Sequence, residues 1–343
     1  MQVERVLLAA PRGFCAGVEM AIKALAWMVR AFEPPVYCYH EIVHNRLVVD
    51  RFRDLGVVFV DDINEVPAGA PLMLSAHGSA PEVVRAAAEQ GGYVVNAVCP
   101  LVTKVHHEVK VRAGKGYSIV YVGHAGHDEA VGTMAVAPEA IHLVESEDDV
   151  ERLAIGAQPV ALLAQTTLSH HDWANVLEAT RERFPDLWMP GRSDLCFATT
   201  NRQSALVQIA EGCDAVVVIG SANSSNTVAL EKVARAAGCP RVLRVNGPDE
   251  LPDDLTGVVG VTAGASAPEE LVRSVIDRLD PTEGVQEIAY TAEAEYFPQP
   301  RELRELLSAI SAVASFALAA PEVPPASADR DLAASEVLAG LRA

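Results

Sequence analysis

Short runs rich in Val, Ile and Leu alternate with helix-like segments along almost the whole chain. The runs lie at residues 5–10, 57–61, 71–75, 93–98, 117–123, 159–164, 215–220 and 258–262. Because they are apolar on both faces of a strand, they are typical of parallel sheets covered by helices on each side. The segment after the first run has apolar residues at helical spacing, among them Val18, Ile22 and Leu25. The chain is therefore predicted to be an α/β protein built from strand–helix crossovers.

Several strand-to-helix junctions resemble one another. The segments SAPEVVR (79–85) and SAPEELVR (266–273) both follow a predicted strand and a turn of small residues, and both carry the Ser-x-x-Glu pattern of a capping box. The pattern predicts that Ser79 and Ser266 cap helices. Related junctions are AQTTLS (164–169) and GSANSSN (220–226). This similarity indicates duplicated strand–helix modules rather than a solenoid.

The chain has a formal net charge of −19 at pH 7, and half of its 343 residues are apolar. This balance argues against attraction to nucleic acid or to an anionic membrane, so an anionic substrate has to be held by local groups. The first residues lack a basic stretch followed by a long apolar core, and the longest apolar runs are shorter than a membrane span. We therefore expect a cytoplasmic protein without a nucleic-acid or membrane partner.

Six cysteines, at positions 15, 38, 99, 196, 213 and 239, are spread over the chain without a Cys-x-x-Cys pair. This pattern favours neither a disulfide scaffold nor a zinc ribbon. Cys15, Cys99 and Cys196 lie where helices are predicted to begin, and a helix N-terminus favours the thiolate that binds iron–sulfur clusters. Two interpretations stay open. The three are either buried structural cysteines or three ligands that leave one iron of a four-iron cluster without a protein ligand; Cys38, Cys213 and Cys239 are interpreted as structural.

Other polar residues collect at the same kind of junction. Turns before helices hold anions through backbone N–H groups, and histidine can add positive charge there. The histidines in such turns are His44, His77, His124 and His127, each of which is either a structural residue or an anion ligand. Ser224, Ser225, Asn226 and Ser266 are either ordinary helix caps or donors to a diphosphate.

Glu129 lies in a glycine-rich turn after a predicted strand, where a carboxyl group can give or take a proton, although a solvated acid is the simpler interpretation. Thr166 and Thr167 either cap a helix or relay that proton. The chain lacks the glycine-rich dinucleotide fingerprint, the P-loop, His-Glu-x-x-His and Gly-x-Ser-x-Gly. Nucleotide cofactors and zinc are therefore disfavoured.

Nine motifs, in one order, resemble the 4-hydroxy-3-methylbut-2-enyl diphosphate reductase (IspH/LytB) family over about residues 3–300. The motifs are PRGFCAGV, EIVHNR, SAHG, CPLVTKVH, GHAGHDEAVGTM, QTTLS, CFATTNRQ, GSANSSN and GVTAGASAP. The resemblance implies an iron–sulfur oxidoreductase that removes the allylic hydroxyl group of its substrate and gives isopentenyl and dimethylallyl diphosphates. This reaction is the last step of the methylerythritol phosphate route to isoprenoids.

The resemblance also implies the site. A [4Fe-4S] cluster is expected on Cys15, Cys99 and Cys196, and air is expected to leave a [3Fe-4S] form or none. The substrate hydroxyl group would bind the iron that has no protein ligand. Glu129 matches the proton donor of the family and Thr166 its hydroxyl partner. The diphosphate is expected on His44, His77, His127, Ser224, Ser225, Asn226 and Ser266, with Thr167, Thr199 and Asn226 near the substrate.

The fold implied by the resemblance is a trefoil of three pseudo-symmetric α/β domains around the central cluster. The expected domains are 14–97, 98–193, and 194–282 together with the N-terminal strand 1–13. Residues 283–300 are expected to return to the core. Residues 301–343 lie outside the resemblance and are predicted to form a helix at about 302–319, a flexible linker at 321–331 and a short last segment.

The electron donors that the resemblance implies, ferredoxin or flavodoxin, are acidic, as this chain is. We therefore expect a local basic patch near the cluster, with Lys104, Lys110, Arg112 and Lys115 as candidates. Two other functions are considered. A non-redox iron–sulfur hydratase or dehydratase would need no reductant, and an iron–sulfur sensor or diphosphate-binding module would not turn over.

Overall fold

The computed structural model describes residues 1–90, 92–318 and 326–341. Its contacts divide the chain into two compact units. The first unit comprises Met1–Cys15, His44–Arg46 and Leu101–Ala294, and the second comprises Ala16–Val43, Leu47–Pro100 and Glu295–Ala343. None of the helices in the described ranges is long and apolar enough to cross a bilayer.

Strands and helices alternate as the apolar runs predict. The strands are β1 (Gln2–Ala10), β2 (Val36–Tyr39), β3 (Val57–Val60), β4 (Leu72–Leu74), β5 (Val94–Asn96), β6 (Ser118–Val122), β7 (Ile141–Val144), β8 (Val160–Ala164), β9 (Ala215–Ile219), β10 (Val242–Val245), β11 (Thr256–Ala263) and β12 (Val285–Ala289). The helices are α1 (Ala16–Ala31), α2 (Arg46–Asp54), α3 (Pro81–Glu89), α4 (Pro100–Gly114), α5 (Asp128–Met134), α6 (Glu147–Arg152), α7 (His170–Arg183), α8 (Phe197–Ala210), α9 (Ser225–Ala236), α10 (Glu269–Leu279), α11 (Arg301–Leu318) and α12 (Ala334–Gly340).

The first unit contains two parallel sheets. The larger has the strand order β10-β9-β11-β1-β12, and the smaller has the order β7-β6-β8. Every residue of β8 and β9 is buried, as expected for parallel strands with helices on both faces. The side chains of β6 face two separate apolar clusters, so that its sheet is covered on each side. These sheets direct the carboxyl ends of β6, β8, β9 and β11 into loops that carry the polar motifs.

The second unit contains one parallel sheet with the strand order β3-β2-β4-β5. Helix α1 is amphipathic and buries Ile22, Leu25 and Met28 completely, which explains the helical spacing of its apolar residues. The carboxyl ends of β4 and β5 lead to His77 and Cys99, respectively. The sheet therefore delivers both residues to the same edge.

The predicted α/β class is confirmed, and each of the eight predicted strands is present with ends that differ by at most three residues. The prediction missed β2, β7, β10 and β12. Strand β2 follows Pro34 and Pro35, a pair typical of a turn, while β7, β10 and β12 are edge strands interrupted by polar residues. A short edge strand needs only one apolar face, so its local pattern is weak.

Two local predictions are wrong. Helices α3 and α10 begin after Ala80 and Pro268, and neither has a side-chain cap, so Ser79 and Ser266 do not form capping boxes. A proline near the start of each helix moves that start beyond the serine.

The prediction of a flexible linker at 321–331 is also partly wrong. Residues Ala326–Asp331 form a short 3₁₀ helix, and the buried Asp329 accepts hydrogen bonds from the Tyr296 hydroxyl group and from Gln299 Nε2, the latter at 2.7 Å. Lys23 donates to the Asp329 carbonyl oxygen at 3.1 Å. These contacts pack that end of the segment within the second unit. Residues 321–325 lie outside the described residues, and α11 agrees with the predicted helix.

Candidate active site

Glu129 and Thr166 form a buried hydrogen-bonded pair in the first unit. The Glu129 carboxylate accepts the Thr166 backbone N–H at 2.7 Å and its hydroxyl group at 3.0 Å. Only 3% of Glu129 is exposed, and this burial raises its pKa to about 7, although the two bonds from Thr166 oppose the rise. A carboxyl group with this pKa can be protonated or ionised near neutral pH, as a proton donor must be.

The loops around this pair are joined by a second set of hydrogen bonds. Gln165 Oε1 accepts the His124 N–H at 2.9 Å, and Gln165 Nε2 donates to Thr167 Oγ1 at 3.0 Å. Ser225 Oγ lies 3.3 Å from His124 Nδ1 and donates to the Thr167 carbonyl oxygen at 3.4 Å. The loops after β6, β8 and β9 are therefore cross-linked beside Glu129.

His127 caps α5 through its ring. Its Nδ1 accepts the Glu129 N–H at 3.2 Å, which places the proton of a neutral ring on Nε2. Burial, followed by the nearby His44 ring at a centroid distance of 5.3 Å, lowers the pKa of His127 to about 4. His44 Nε2 in turn lies 3.8 Å from an Asp128 carboxylate oxygen. His127 is thus a neutral hydrogen-bond donor at pH 7.

Asn226, at the start of α9, connects two further loops. Its Oδ1 accepts the Ala265 N–H at 2.9 Å, and its Nδ2 donates to Thr199 Oγ1 at 3.4 Å. Ser224 caps the same helix. Ser266 donates its hydroxyl group to the His44 carbonyl oxygen at 2.9 Å, which replaces the predicted capping contact. The residues of this unit that are predicted to bind the diphosphate therefore lie on loops that are joined to one another by hydrogen bonds.

Cys15 and Cys196 lie in the first unit, and each immediately precedes a helix. The Cys196 sulfur caps α8 by accepting the Thr199 N–H at 3.3 Å and lies 3.1 Å from the Thr199 hydroxyl oxygen. Burial raises the pKa of Cys196 to about 11, and the neighbouring Cys15 adds to this rise. At Cys196, burial therefore outweighs the stabilisation of the thiolate that was expected from the helix N-terminus. The thiol groups of Cys15 and Cys196 are also close enough to interact electrostatically.

Cys99 and His77 lie in the second unit. The Cys99 N–H donates to the Ala76 carbonyl oxygen at 3.0 Å, so Cys99 stands beside the residue that precedes His77. Cys99 also immediately precedes α4. All three cysteines of the predicted ligand set therefore occupy the same local position, directly before a helix. The other three, Cys38, Cys213 and Cys239, are buried in apolar surroundings, consistent with structural roles.

Asp194 and Arg202 are two buried charged residues near the site that the motifs did not predict. The buried Asp194 accepts Lys104 Nζ at 3.3 Å and the Ala164 N–H at 3.2 Å, and its charge adds to the raised pKa of Glu129, which burial dominates. Arg202 is fully buried in α8. Both residues lie within or beside the quoted motif CFATTNRQ, but Arg202 stands between Asn201 and Gln203 and Asp194 follows Ser193, so the local sequence gives no signal of their burial.

The expected basic patch is only partly available to a partner. Arg112 packs over the Trp188 ring at 3.6 Å and pairs with Glu108 at 3.4 Å, so little of its side chain is open to a partner. Lys104 is engaged by Asp194. Lys110 and Lys115 are exposed.

The LytB protein family model matches residues 6–280 of this chain. A 4-hydroxy-3-methylbut-2-enyl diphosphate reductase of Rhodopirellula baltica is 49% identical over 307 residues, which are 88% of this chain and 96% of the relative. The reductase of Mycobacterium ulcerans is 46% identical over 306 residues, or 88% and 92% of the two chains.

The fold is similar to that of solved structures. The structure of the E-1-hydroxy-2-methyl-but-2-enyl-4-diphosphate reductase from Plasmodium falciparum superposes with a TM-score of 0.86 and 31% identity, covering 90% of this chain and 99% of the other. A second structure, of the terminal enzyme of the non-mevalonate pathway, has a TM-score of 0.59 and 28% identity, with coverages of 81% and 99%.

Proposed function

The chain belongs to the LytB protein family, and from this premise we propose that it reductively removes the allylic hydroxyl group of 4-hydroxy-3-methylbut-2-enyl diphosphate. The products are isopentenyl diphosphate and dimethylallyl diphosphate. Each turnover consumes two electrons and two protons. The carbon–oxygen bond breaks, and the hydroxyl group takes up one proton and leaves as water. The two electrons and the second proton form a new C–H bond on the allylic fragment.

The observation that carries this proposal is the position of Glu129. Its carboxyl group is buried, has a pKa of about 7 and is bonded to Thr166, whose carbonyl oxygen accepts the Cys196 N–H at 3.0 Å. One threonine thus connects a protonatable acid to the backbone of a candidate iron ligand. Glu129 supplies the proton that leaves with water, and the Thr166 hydroxyl group orients the acid and passes the proton on.

Cys15, Cys99 and Cys196 hold a [4Fe-4S] cluster in this proposal. The electrostatic interaction of Cys196 with Cys15 supports the fit in the first unit, because it means that two thiols lie near each other, and a bound metal ion would stabilise both as thiolates. When bound, the cluster supplies electrons and an iron that no protein residue ligates. That iron is the one most easily lost in air.

Uncharged hydrogen-bond donors bind the diphosphate, together with any histidine that becomes protonated. His127 offers Nε2–H, and the start of α9 offers hydroxyl and N–H groups. The proposed set is His44, His77, His127, Ser224, Ser225, Asn226 and Ser266, with Thr167 and Thr199 beside the carbon chain. A site of this kind binds an anion despite the net charge of −19.

Three further assignments belong to the same proposal. The domains are 14–97, 98–193, and 194–282 with 1–13; residues 283–300 return to the core and 301–343 form an extension. The electron donor is a ferredoxin or flavodoxin, and the exposed Lys110 and Lys115 are the charges left for its docking. The reaction takes place in the cytoplasm.

The test is anaerobic purification, followed by counting iron and sulfide per chain and assaying the allylic diphosphate with dithionite and a redox mediator. The proposal expects about four irons per chain and conversion only with the reductant. Conversion without a reductant identifies a hydratase or dehydratase, and a cluster without conversion identifies a sensor or binding module.

Cysteine variants test the ligand set. Changing Cys15, Cys99 or Cys196 to Ser is expected to lower the iron content and abolish turnover. Cys213→Ala is the matched control, because Cys213 is a buried cysteine of the first unit packed in an apolar cluster. Equal iron loss in the control and in the three variants would refute the assignment.

A further inference from the structure

Arg202 is a fully buried cation with a partner for every donor group. Its Nε and Nη2 donate to the Gly13 carbonyl oxygen at 3.0 and 2.8 Å, and Nη2 also donates to the Phe14 carbonyl oxygen at 3.1 Å. Its Nη1 donates to the Ala198 carbonyl oxygen and to both carboxylate oxygens of Glu293, each at 3.0 Å. A single guanidinium group therefore joins two stretches of backbone and one acid.

The first of these stretches is the segment that leads to Cys15. On its N–H side, Gly13 donates to Ala263 and Cys15 donates to Ala265, both at 3.2 Å. Gly13 has φ +66, and a Cβ there would stand 3.1 Å from the Ala267 carbonyl oxygen, so a side chain is disfavoured. The segment is thus fastened to the end of β11 by its N–H groups, while its carbonyl oxygens face Arg202.

The second stretch is the first turn of α8, which Cys196 begins. Arg202 belongs to this helix. Another side chain cannot easily replace it, because only the planar guanidinium group can donate to several carbonyl oxygens and a carboxylate at the same time. Without Arg202, the carbonyl group of Gly13 would be buried without this partner, a state that folded proteins avoid. The contact therefore couples the backbone positions of the two cysteine segments.

We propose that Arg202 is a positioning residue that sets the Cys15 segment against the helix begun by Cys196, so that both sulfur atoms are held ready for one metal centre. The assignment rests on the proposed iron–sulfur function. Arg202 touches no substrate in this role and acts only through the two segments. Glu293 neutralises the buried charge and fixes the orientation of the guanidinium plane.

The experiment compares full-length Arg202→Lys and Arg202→Met with the wild type. Arg112→Met is the matched control, because it removes a largely buried, paired arginine of the first unit that touches neither cysteine segment. The cluster-loaded proteins are challenged with an iron chelator under anaerobic conditions. Both Arg202 variants are expected to lose iron at least tenfold faster than the wild type and the control, whatever their melting temperatures. Iron loss at the wild-type rate, or at the rate of an equally destabilised control, overturns the proposal.

A second readout needs no cluster. In the metal-free full-length chain, alkylation of Cys15 is expected to be at least threefold faster in Arg202→Lys than in the wild type, with Cys99 as the internal reference. Equal rates for Cys15 overturn the proposal. If neither Arg202 variant folds, Glu293→Gln is used instead, and it must accelerate both iron loss and Cys15 alkylation.

The two levels of the proposal fail in different ways. A wild-type chain that binds no iron defeats the cluster assignment, and the alkylation experiment then decides alone whether Arg202 positions Cys15. A wild-type chain that binds the cluster, together with unchanged Arg202 variants, defeats only the role of Arg202.

Discussion

The Glu129 carboxylate accepts both the backbone N–H and the side-chain hydroxyl group of Thr166, at 2.7 and 3.0 Å. These bonds favour the ionised acid, whereas burial favours the protonated acid, and burial prevails. The result is an acid whose proton is available near neutral pH.

Replacing the acid by its amide should remove the proton donor while keeping the shape of the site. We expect Glu129→Gln to lower kcat by about 10²–10⁴, the usual range for general acid catalysis. The iron content and the substrate affinity should stay near the wild-type values. Steady-state kinetics with dithionite and a mediator, together with iron counts, measure this. Full turnover with an intact cluster would show that Glu129 is not the donor.

The same substitution should stabilise the metal-free protein at high pH. The folded chain binds the Glu129 proton more tightly than the unfolded chain does, since the pKa rises from 4.5 to about 7. The unfolding free energy should therefore fall between pH 4.5 and 7, by about 3 kcal/mol from this group. Urea unfolding at pH 5 and pH 8 should show a smaller fall for Glu129→Gln. An identical fall in both proteins would contradict the raised pKa.

Thr166→Val removes one of the two bonds that favour ionised Glu129. The pKa of Glu129 should rise by about one to two units, because a hydrogen bond to a charged group is worth about 1.5–3 kcal/mol and one unit corresponds to about 1.4 kcal/mol. The loss of activity on the alkaline side should then move to higher pH, and kcat should fall. Thr180→Val is the control, since Thr180 is a buried threonine with one local hydrogen bond. If the activity of Thr166→Val depends on pH as that of the control does, this prediction is wrong.

His127 should be neutral at pH 7, with its proton on Nε2. Burial and His44 lower its pKa to about 4, and its Nδ1 already accepts the Glu129 N–H. Nitrogen-15 NMR of the histidine-labelled protein at pH 7 should show one protonated and one unprotonated ring nitrogen. The variant His127→Gln assigns the signal. Two protonated nitrogens would mean that the ring is a cation there.

Asn226→Asp should place a negative charge beside the proposed diphosphate while keeping an oxygen for the Ala265 N–H. We expect KM to rise by about 10–100-fold through repulsion of like charges, with a smaller change in kcat. Asn175→Asp on α7 makes the same change of charge outside the site. If both variants have the same KM, Asn226 does not face the anion.

Much of the fold could be predicted, because the central parallel strands are continuous apolar runs and the helices have a clear period. The family assignment made from nine motifs is confirmed by the match over residues 6–280. The edge strands β7, β10 and β12 were missed because one or two polar residues in a short run destroy the pattern. Pairing between distant segments, which decides that such a run becomes a strand, leaves no local signal.

The site could be anticipated residue by residue but not in its connections. The hydroxyl group of Ser266 was expected to cap a helix and instead binds His44, which is far away in the chain. Arg202 and Asp194 were overlooked because a charged residue is usually solvated, and only tertiary packing buries these two. The raised pKa of Glu129 and the raised pKa of Cys196 likewise depend on burial, which a local pattern does not specify.

The pairing of β1 on both of its edges affects the order in which the larger sheet can form during biosynthesis. It lies between β11 and β12, yet Ala10 ends β1 and Thr256 begins β11. At ribosomal rates of about 5–20 residues per second, β1 waits for on the order of 10–50 s before either neighbour emerges. During that time neither edge of β1 has its native partner, so the N–H and C=O groups along both edges stay open to pairing with other chains.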